Sequence, residues 1–195
     1  RTRRVVRPGE QYEVVGVFTT DAMAIHSTSP ITSLDSLKGK QIRIGGALTP
    51  VLEELGGAPV GMSQAEQAQA LQTGIISGYV SDRGGLQDMG FAELVSHVTD
   101  YPLAVTTLVV IMNKDKYESL PAEVQTAITE LKDEVPTLAG QYLDEHTKGV
   151  MEWSANEHGV EVVEVEDKEQ WDEKIESLRN KYIKAAEEKG YPAEE

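Results

Sequence analysis

The chain has 195 residues, 39% of them apolar, with two tryptophans and seven tyrosines, which is enough for a folded core. Its formal charge of -15 argues against nucleic acid and anionic membrane surfaces as partners, and the absence of cysteine excludes disulfides, thiolate nucleophiles and Cys-based zinc sites. No apolar run approaches the roughly 20 residues that a membrane span needs, and no signal-peptide apolar region is present.

Arg1 opens the chain in place of Met, so the N-terminus is read as processed, cut or left out, with any targeting signal lost. The basic opening Arg1, Arg3, Arg4 and Arg7 has no aromatic neighbours and reads as a solvated strand end or linker. Tyr12 to Phe18 and Ala22 to His26 read as short buried strands, bounded by Gly9, Asp21 and the polar stretch Ser27 to Pro30. Ser33 to Lys38 forms one helical turn closed by Gly39. In the strand Gln41 to Ile44, Ile42 and Ile44 share one face while Gln41 and Arg43 share the other. A helix is expected at once, with Thr49 as N-cap, Pro50 at the first helical position, and Gly56 and Gly57 as its stop. Ser63 and Glu66 form the capping box of the next helix, which carries Ala65, Ala68 and Leu71 on one face and stops at Gly74; Ile75 to Val80 is strand again. This alternation predicts a mostly parallel α/β sheet, with ligand sites at the carboxyl ends of its strands.

Pro102 to Met112 reads as a long apolar strand. Pro121 opens a helix whose apolar positions, from Val124 and Ile128 through Val135 and Tyr142 to Val150 and Trp153, keep helical spacing across Pro136. One kinked helix is therefore expected, not two. Gly159 ends it and Val160 to Val165 is a last strand. Asp167 with Gln170 caps a final amphipathic helix carrying Trp171, Ile175, Leu178 and Tyr182.

Two junctions could carry chemistry. Gly45-Gly46 joins the strand of Arg43 to a helix, and free backbone N–H groups there would receive an anion on which the Arg43 fork could close bidentately. A structural arginine beside an ordinary tight turn explains the same residues. The second junction, Ser81-Asp82-Arg83-Gly84-Gly85, lies at the carboxyl end of a strand, the ligand edge of such sheets; a solvent-facing turn with an Asp/Arg pair is the plain alternative. His26, His97, His146 and His158 lie on separate elements without metal-ligand spacing, and neither GxSxG nor a P-loop occurs. No cofactor and no catalysis are expected.

Five phrases in register resemble the DctP-type solute-binding subunits of TRAP transporters: Leu34 to Ile44, Leu55 to Met62, Ala70 to Gly78, Phe91 to Thr99 and Met112 to Val124. The resemblance implies a type II periplasmic-binding-protein-like, bilobed α/β fold with mixed sheets and a long kinked helix, most of the first lobe being expected before Arg1. It divides the chain into a connecting or hinge strand (1–22), a second-lobe α/β domain (23–103), and a hinge strand, lobe-spanning helix, final strand and C-terminal helix (104–195). It also implies a periplasmic protein, its signal peptide removed, that captures a small organic acid and delivers it to the TRAP membrane permease subunits. A sensory ectodomain using the same fold is the alternative. Arg43 falls at the family's carboxylate-pairing arginine. The implied ligand-binding set is Arg43, Gly46, Gln64, Ser81, Asp82, Arg83 and Leu103. Ser81 stands where the family often has Asn, Asp82 at the usual proline, and Gln64 at a frequent aromatic. A second pocket arginine of sialic-acid-binding members falls near Ser29, so sialic acid is not the expected ligand.

Overall fold

The computed structural model describes residues 11–190. The basic opening Arg1 to Arg7, and Gly9, lie outside the described residues. In chain order the first elements are β1 (Tyr12–Thr19), β2 (Ala24–Ser27), α1 (Leu34–Leu37), β3 (Gln41–Arg43), a 3-10 turn (Gly46–Leu48), α2 (Thr49–Leu55), β4 (Ala58–Val60), α3 (Gln64–Gln72) and β5 (Gly78–Ser81). There follow α4 (Gly85–Asp88), a 3-10 turn (Phe91–Glu93), β6 (His97–Thr99), β7 (Thr107–Asn113), α5 (Lys114–Glu118), α6 (Ala122–His158), β8 (Glu161–Val163) and α7 (Lys168–Glu187). They divide between two compact units: one runs to Asp21 and resumes over Val105–Lys148, and the other takes Ala22–Ala104 with the chain from Gly149.

The second unit is built on a six-stranded sheet in the order β4-β3-β5-β2-β6-β8. β3 is parallel to β4 and β5, β6 is parallel to β8, and β2 is antiparallel to both β5 and β6. Five strands thus share one direction and only β2 opposes them, close to the mostly parallel sheet that alternating strand and helix predicts. Side chains alternate between the faces, as the two-residue period of a strand requires. Ile25, Ile42, Ile44 and Val80 pack with Leu37, Leu52 and the fully buried Trp171 on one face. Ala24, Tyr79 and Val98 pack with Ala70, Leu71, Leu86, Phe91 and Val150 on the other. Helices cover both faces, so nearly continuous apolar strands are stable here.

Three local expectations need correction. Thr49 is not the N-cap of α2: its backbone is already helical, Leu48 precedes it as the cap without a side-chain bond, and the 3-10 turn intervenes. On α3 the capping box of Ser63 and Glu66 forms as expected, but the buried positions are Gln67, Ala70 and Leu71, while Ala65 faces solvent. Asp167 stands at the start of α7 but does not cap it, because its carboxylate accepts instead from the Leu34 N–H at 3.0 Å and the Trp171 indole N–H at 2.9 Å. That choice ties α1 and the buried indole to one carboxylate.

In the first unit β1 and β7 form an antiparallel ribbon, registered from Tyr12 opposite Asn113 to Thr19 opposite Thr107, with an irregularity between Val14 and Gly16. A Cβ at Gly16 would lie 3.0 Å from the Val135 side chain of α6, so the missing side chain lets the helix approach the ribbon. α6 is one helix through Pro136, as its apolar spacing predicts, and Gly159 ends it at a φ of 68°. Spacing foretold the helix better than its burial: Leu138 is 54% and Tyr142 67% exposed.

Candidate functional site

Strand direction decides which loops meet. Arg43 is the last residue of β3, and its register partners are Val60 in parallel β4 and Tyr79 in parallel β5. The chain therefore leaves all three strands at one edge of the sheet, carrying Gly46 after β3, Gln64 after β4, and Ser81 with Asp82 and Arg83 at the end of β5. β2 runs the other way, so it enters at this edge: Ala24 is opposite Ser81, and the Met23 carbonyl accepts from the Leu103 N–H at 2.9 Å. Residues spread over 61 positions of sequence, Arg43 to Leu103, are gathered at the carboxyl ends of neighbouring strands.

Their chemistry differs. Arg43 is half-buried; its Nη2 donates to the Met62 carbonyl at 3.5 Å, its Nε is buried without a partner, and it makes no ion pair among the described residues. Arg83 is committed, its Nη2 lying 3.1 Å from Asp100 Oδ1. Asp82 accepts from the Gly85 N–H at 3.3 Å, the local bond that shapes the turn into α4. Ser81 is half-buried at the strand end, and the Gln64 side-chain amide donates to the Met89 sulfur. Gly46 is exposed, with open space where a Cβ would be. Leu103 is only 8% exposed and belongs to the apolar cluster around Ile25 and Tyr101. The anion-receptive helix start expected after Gly45-Gly46 is replaced by the 3-10 turn before the seven-residue α2, which leaves the Arg43 guanidinium as the cationic group of this junction.

Sequence reading missed a set of buried polar groups behind this edge. His26 is fully buried, neither ring nitrogen has a partner of hydrogen-bonding geometry, and its ring lies 4.7 Å from that of Tyr79. The Tyr79 hydroxyl and the Gln67 side-chain nitrogen are likewise buried without partners. Burial, with Asp82 nearby, pushes the Tyr79 phenol up. Only the alternation of strand residues, which sets Tyr79 and Arg43 on one face, could have pointed to this cluster.

Burial pushes the His26 ring down to about 3; the Arg83 charge adds to the effect and the Ser81 backbone opposes it. The sign for stability follows. At neutral pH and above, the ring is neutral in folded and unfolded chains alike. As pH falls through the unfolded value of 6.5, the unfolded chain takes a proton that the folded chain refuses until about 3. His26 then subtracts up to about 1.4 kcal/mol per pH unit from stability across that window. Denaturant unfolding of wild type and His26→Phe at several pH values is expected to show the steeper acid loss in wild type; parallel curves would refute this.

The comparisons with known proteins agree with this architecture. The model of the bacterial extracellular solute-binding protein family 7, DctP, matches residues 7–185. The chain belongs to this family. DctP-family proteins are transport solute-binding proteins and not enzymes, and the solved relatives have the bilobed periplasmic-binding fold. A solute-binding protein of Sulfitobacter sp. (strain NAS-14.1) is 27% identical over 140 residues, covering 71% of this chain and 42% of the relative. A TRAP periplasmic solute-binding protein from Desulfovibrio salexigens superposes with a TM-score of 0.84 at 30% identity, over 94% of this chain and 58% of that one. A marine metagenome TRAP solute-binding protein specific for aromatic acid ligands, in complex with metahydroxyphenylacetate, gives 0.84 at 28% identity, over 93% and 60% of the two chains. The chain therefore spans less than two thirds of these DctP-family relatives. The comparisons lend the sensory-ectodomain alternative no support, and among the described residues no helix is long and apolar enough to cross a membrane.

Proposed function

We propose that this DctP-family chain belongs to a periplasmic protein that captures a small organic carboxylate and hands it to the membrane subunits of a TRAP transporter. The observation that carries the reading is Arg43: a guanidinium at the carboxyl end of a central strand, with no ion pair among the described residues. An arginine fork matches a carboxylate bidentately, and a charge partner from solution would complete it. Gly46, three residues after Arg43, has open space where a Cβ would be, Ser81 and Gln64 offer neutral hydrogen-bonding groups, and the turn Asp82 to Arg83 frames the edge. Leu103 contributes from beneath, by holding the entry of β2 in place. The relative in complex with metahydroxyphenylacetate supports an organic acid as the class of ligand.

Calorimetric titration against organic acids and, separately, neutral sugars and amines tests this. Binding of acids is expected. Binding confined to the neutral sugars and the amines would overturn the proposal.

A further inference from the structure

We infer that the ligand is a monocarboxylate bearing an uncharged hydrogen-bonding group, such as a hydroxyl, and not a dicarboxylate. The inference rests on the carboxylate-capture reading and concerns the charge balance of the same sheet edge.

Two cations stand on the segments leaving β3, β4 and β5: Arg43 and Arg83. Only Arg43 lacks an ion pair among the described residues, since Arg83 holds Asp100 at 3.1 Å. The anions at the edge are more numerous. Asp100 follows β6, which runs parallel to β5 through β2; Asp82 follows β5; and Glu66 stands in the first turn of α3, its carboxylate receiving the Ser63 N–H at 2.9 Å and the Ser63 hydroxyl at 2.6 Å. One ligand carboxylate on Arg43 meets a compensating charge. A second would meet the half-buried Asp82 and the exposed Asp100, and could pair with Arg83 only by displacing Asp100; a like charge brought close is disfavoured, most at the half-buried Asp82. What the edge offers beside Arg43 is neutral: the Ser81 hydroxyl, which makes no hydrogen bond among the described residues, and the Gln64 amide, one of whose two N–H donors is given to the weak acceptor sulfur of Met89. A ligand hydroxyl can both donate to and accept from these groups, whereas a bare carboxylate can only accept.

Matched compounds separate the possibilities. One set is 3-hydroxybenzoate, benzene-1,3-dicarboxylate and 3-hydroxybenzamide; the other is 4-hydroxybutyrate, succinate and 4-hydroxybutyramide. Calorimetry on the purified protein is expected to show, in at least one set, the hydroxy acid binding at least about tenfold more tightly than its dicarboxylate. Equal or tighter binding of the dicarboxylates overturns the inference and leaves carboxylate capture standing. Binding of the amides alone overturns both, and failure of both hydroxy acids to bind overturns the inference. The variant Asp100→Asn removes the carboxylate that Arg83 holds. It is expected to raise dicarboxylate affinity relative to the hydroxy acid by about fivefold or more, a change that loss of structure alone would not produce. An unchanged ratio in a folded Asp100→Asn protein contradicts the charge-balance argument.

Discussion

Arg43→Ala is expected to weaken organic-acid binding by about a hundredfold, the loss of a bidentate, charge-assisted pair worth about 2.7 kcal/mol. Stability is expected to change by no more than about 1 kcal/mol, because among the described residues no carboxylate is stranded when the guanidinium goes, and the bond to Met62, at 3.5 Å, is long. Arg43→Lys keeps the charge but not the planar fork, so its affinity is expected to fall between the two, about tenfold below wild type. Ligand titration paired with denaturant unfolding reads both quantities on each variant. A large stability loss with unchanged affinity would return Arg43 to the role of a structural arginine.

Gly78→Ala is expected to be the most damaging small substitution at this sheet. Gly78 opens β5 opposite Ser27 of β2, and a Cβ there would overlap the His26 carbonyl oxygen and lie 3.0 Å from the Ser27 Cα. Both obstacles are backbone of the neighbouring strand, which cannot swing aside as a side chain can, so the ladder itself must shift. The expected cost is about 3 kcal/mol or more, at the upper end for overpacking. Gly46→Ala is the control: nothing lies within 4 Å of the added carbon, and a change within about 0.5 kcal/mol is expected. Equal midpoints for the two variants in urea would remove the steric argument.

Much of the architecture was legible because it depends on local rules. Ser63 heads its capping box, the turn that Ser33 opens forms, Gly39, Gly56 and Gly159 end elements at positive φ, and the spacing around Pro136 kept one helix. What escaped depended on partners far away in the chain. Asp167 looked like an ordinary cap until Leu34, 133 residues earlier, claimed one of its oxygens. Gln67 lies on the buried side of α3 in place of the smaller Ala65, which periodicity alone could not choose. At the candidate site, strand order was enough to bring Arg43 and Ser81 to one edge. The pairing of Arg83 with Asp100 was not readable, because it joins loops after two strands that β2 separates. Leu103 stood in the implied ligand-binding set, yet its side chain is part of the apolar cluster.

The placement of the aromatic chromophores has a practical consequence. The chain has two tryptophans, and both Trp153 and Trp171 fall in the unit formed by Ala22–Ala104 and the chain from Gly149. Trp171 is fully buried with its indole N–H bonded to Asp167 and its ring 4.9 Å from that of Tyr101, while Trp153 lies 4.6 Å from the His158 ring. Tryptophan emission therefore follows the melting of that unit and has no reporter in the β1–β7 ribbon, where Tyr12 is the aromatic residue of β1 that would add a tyrosine signal. Far-UV ellipticity, in contrast, draws heavily on α6, whose residues up to Lys148 belong to the other unit. Only if the two signals share one midpoint does a single unfolding free energy describe this chain; if they separate, each optical probe reports the stability of a different unit.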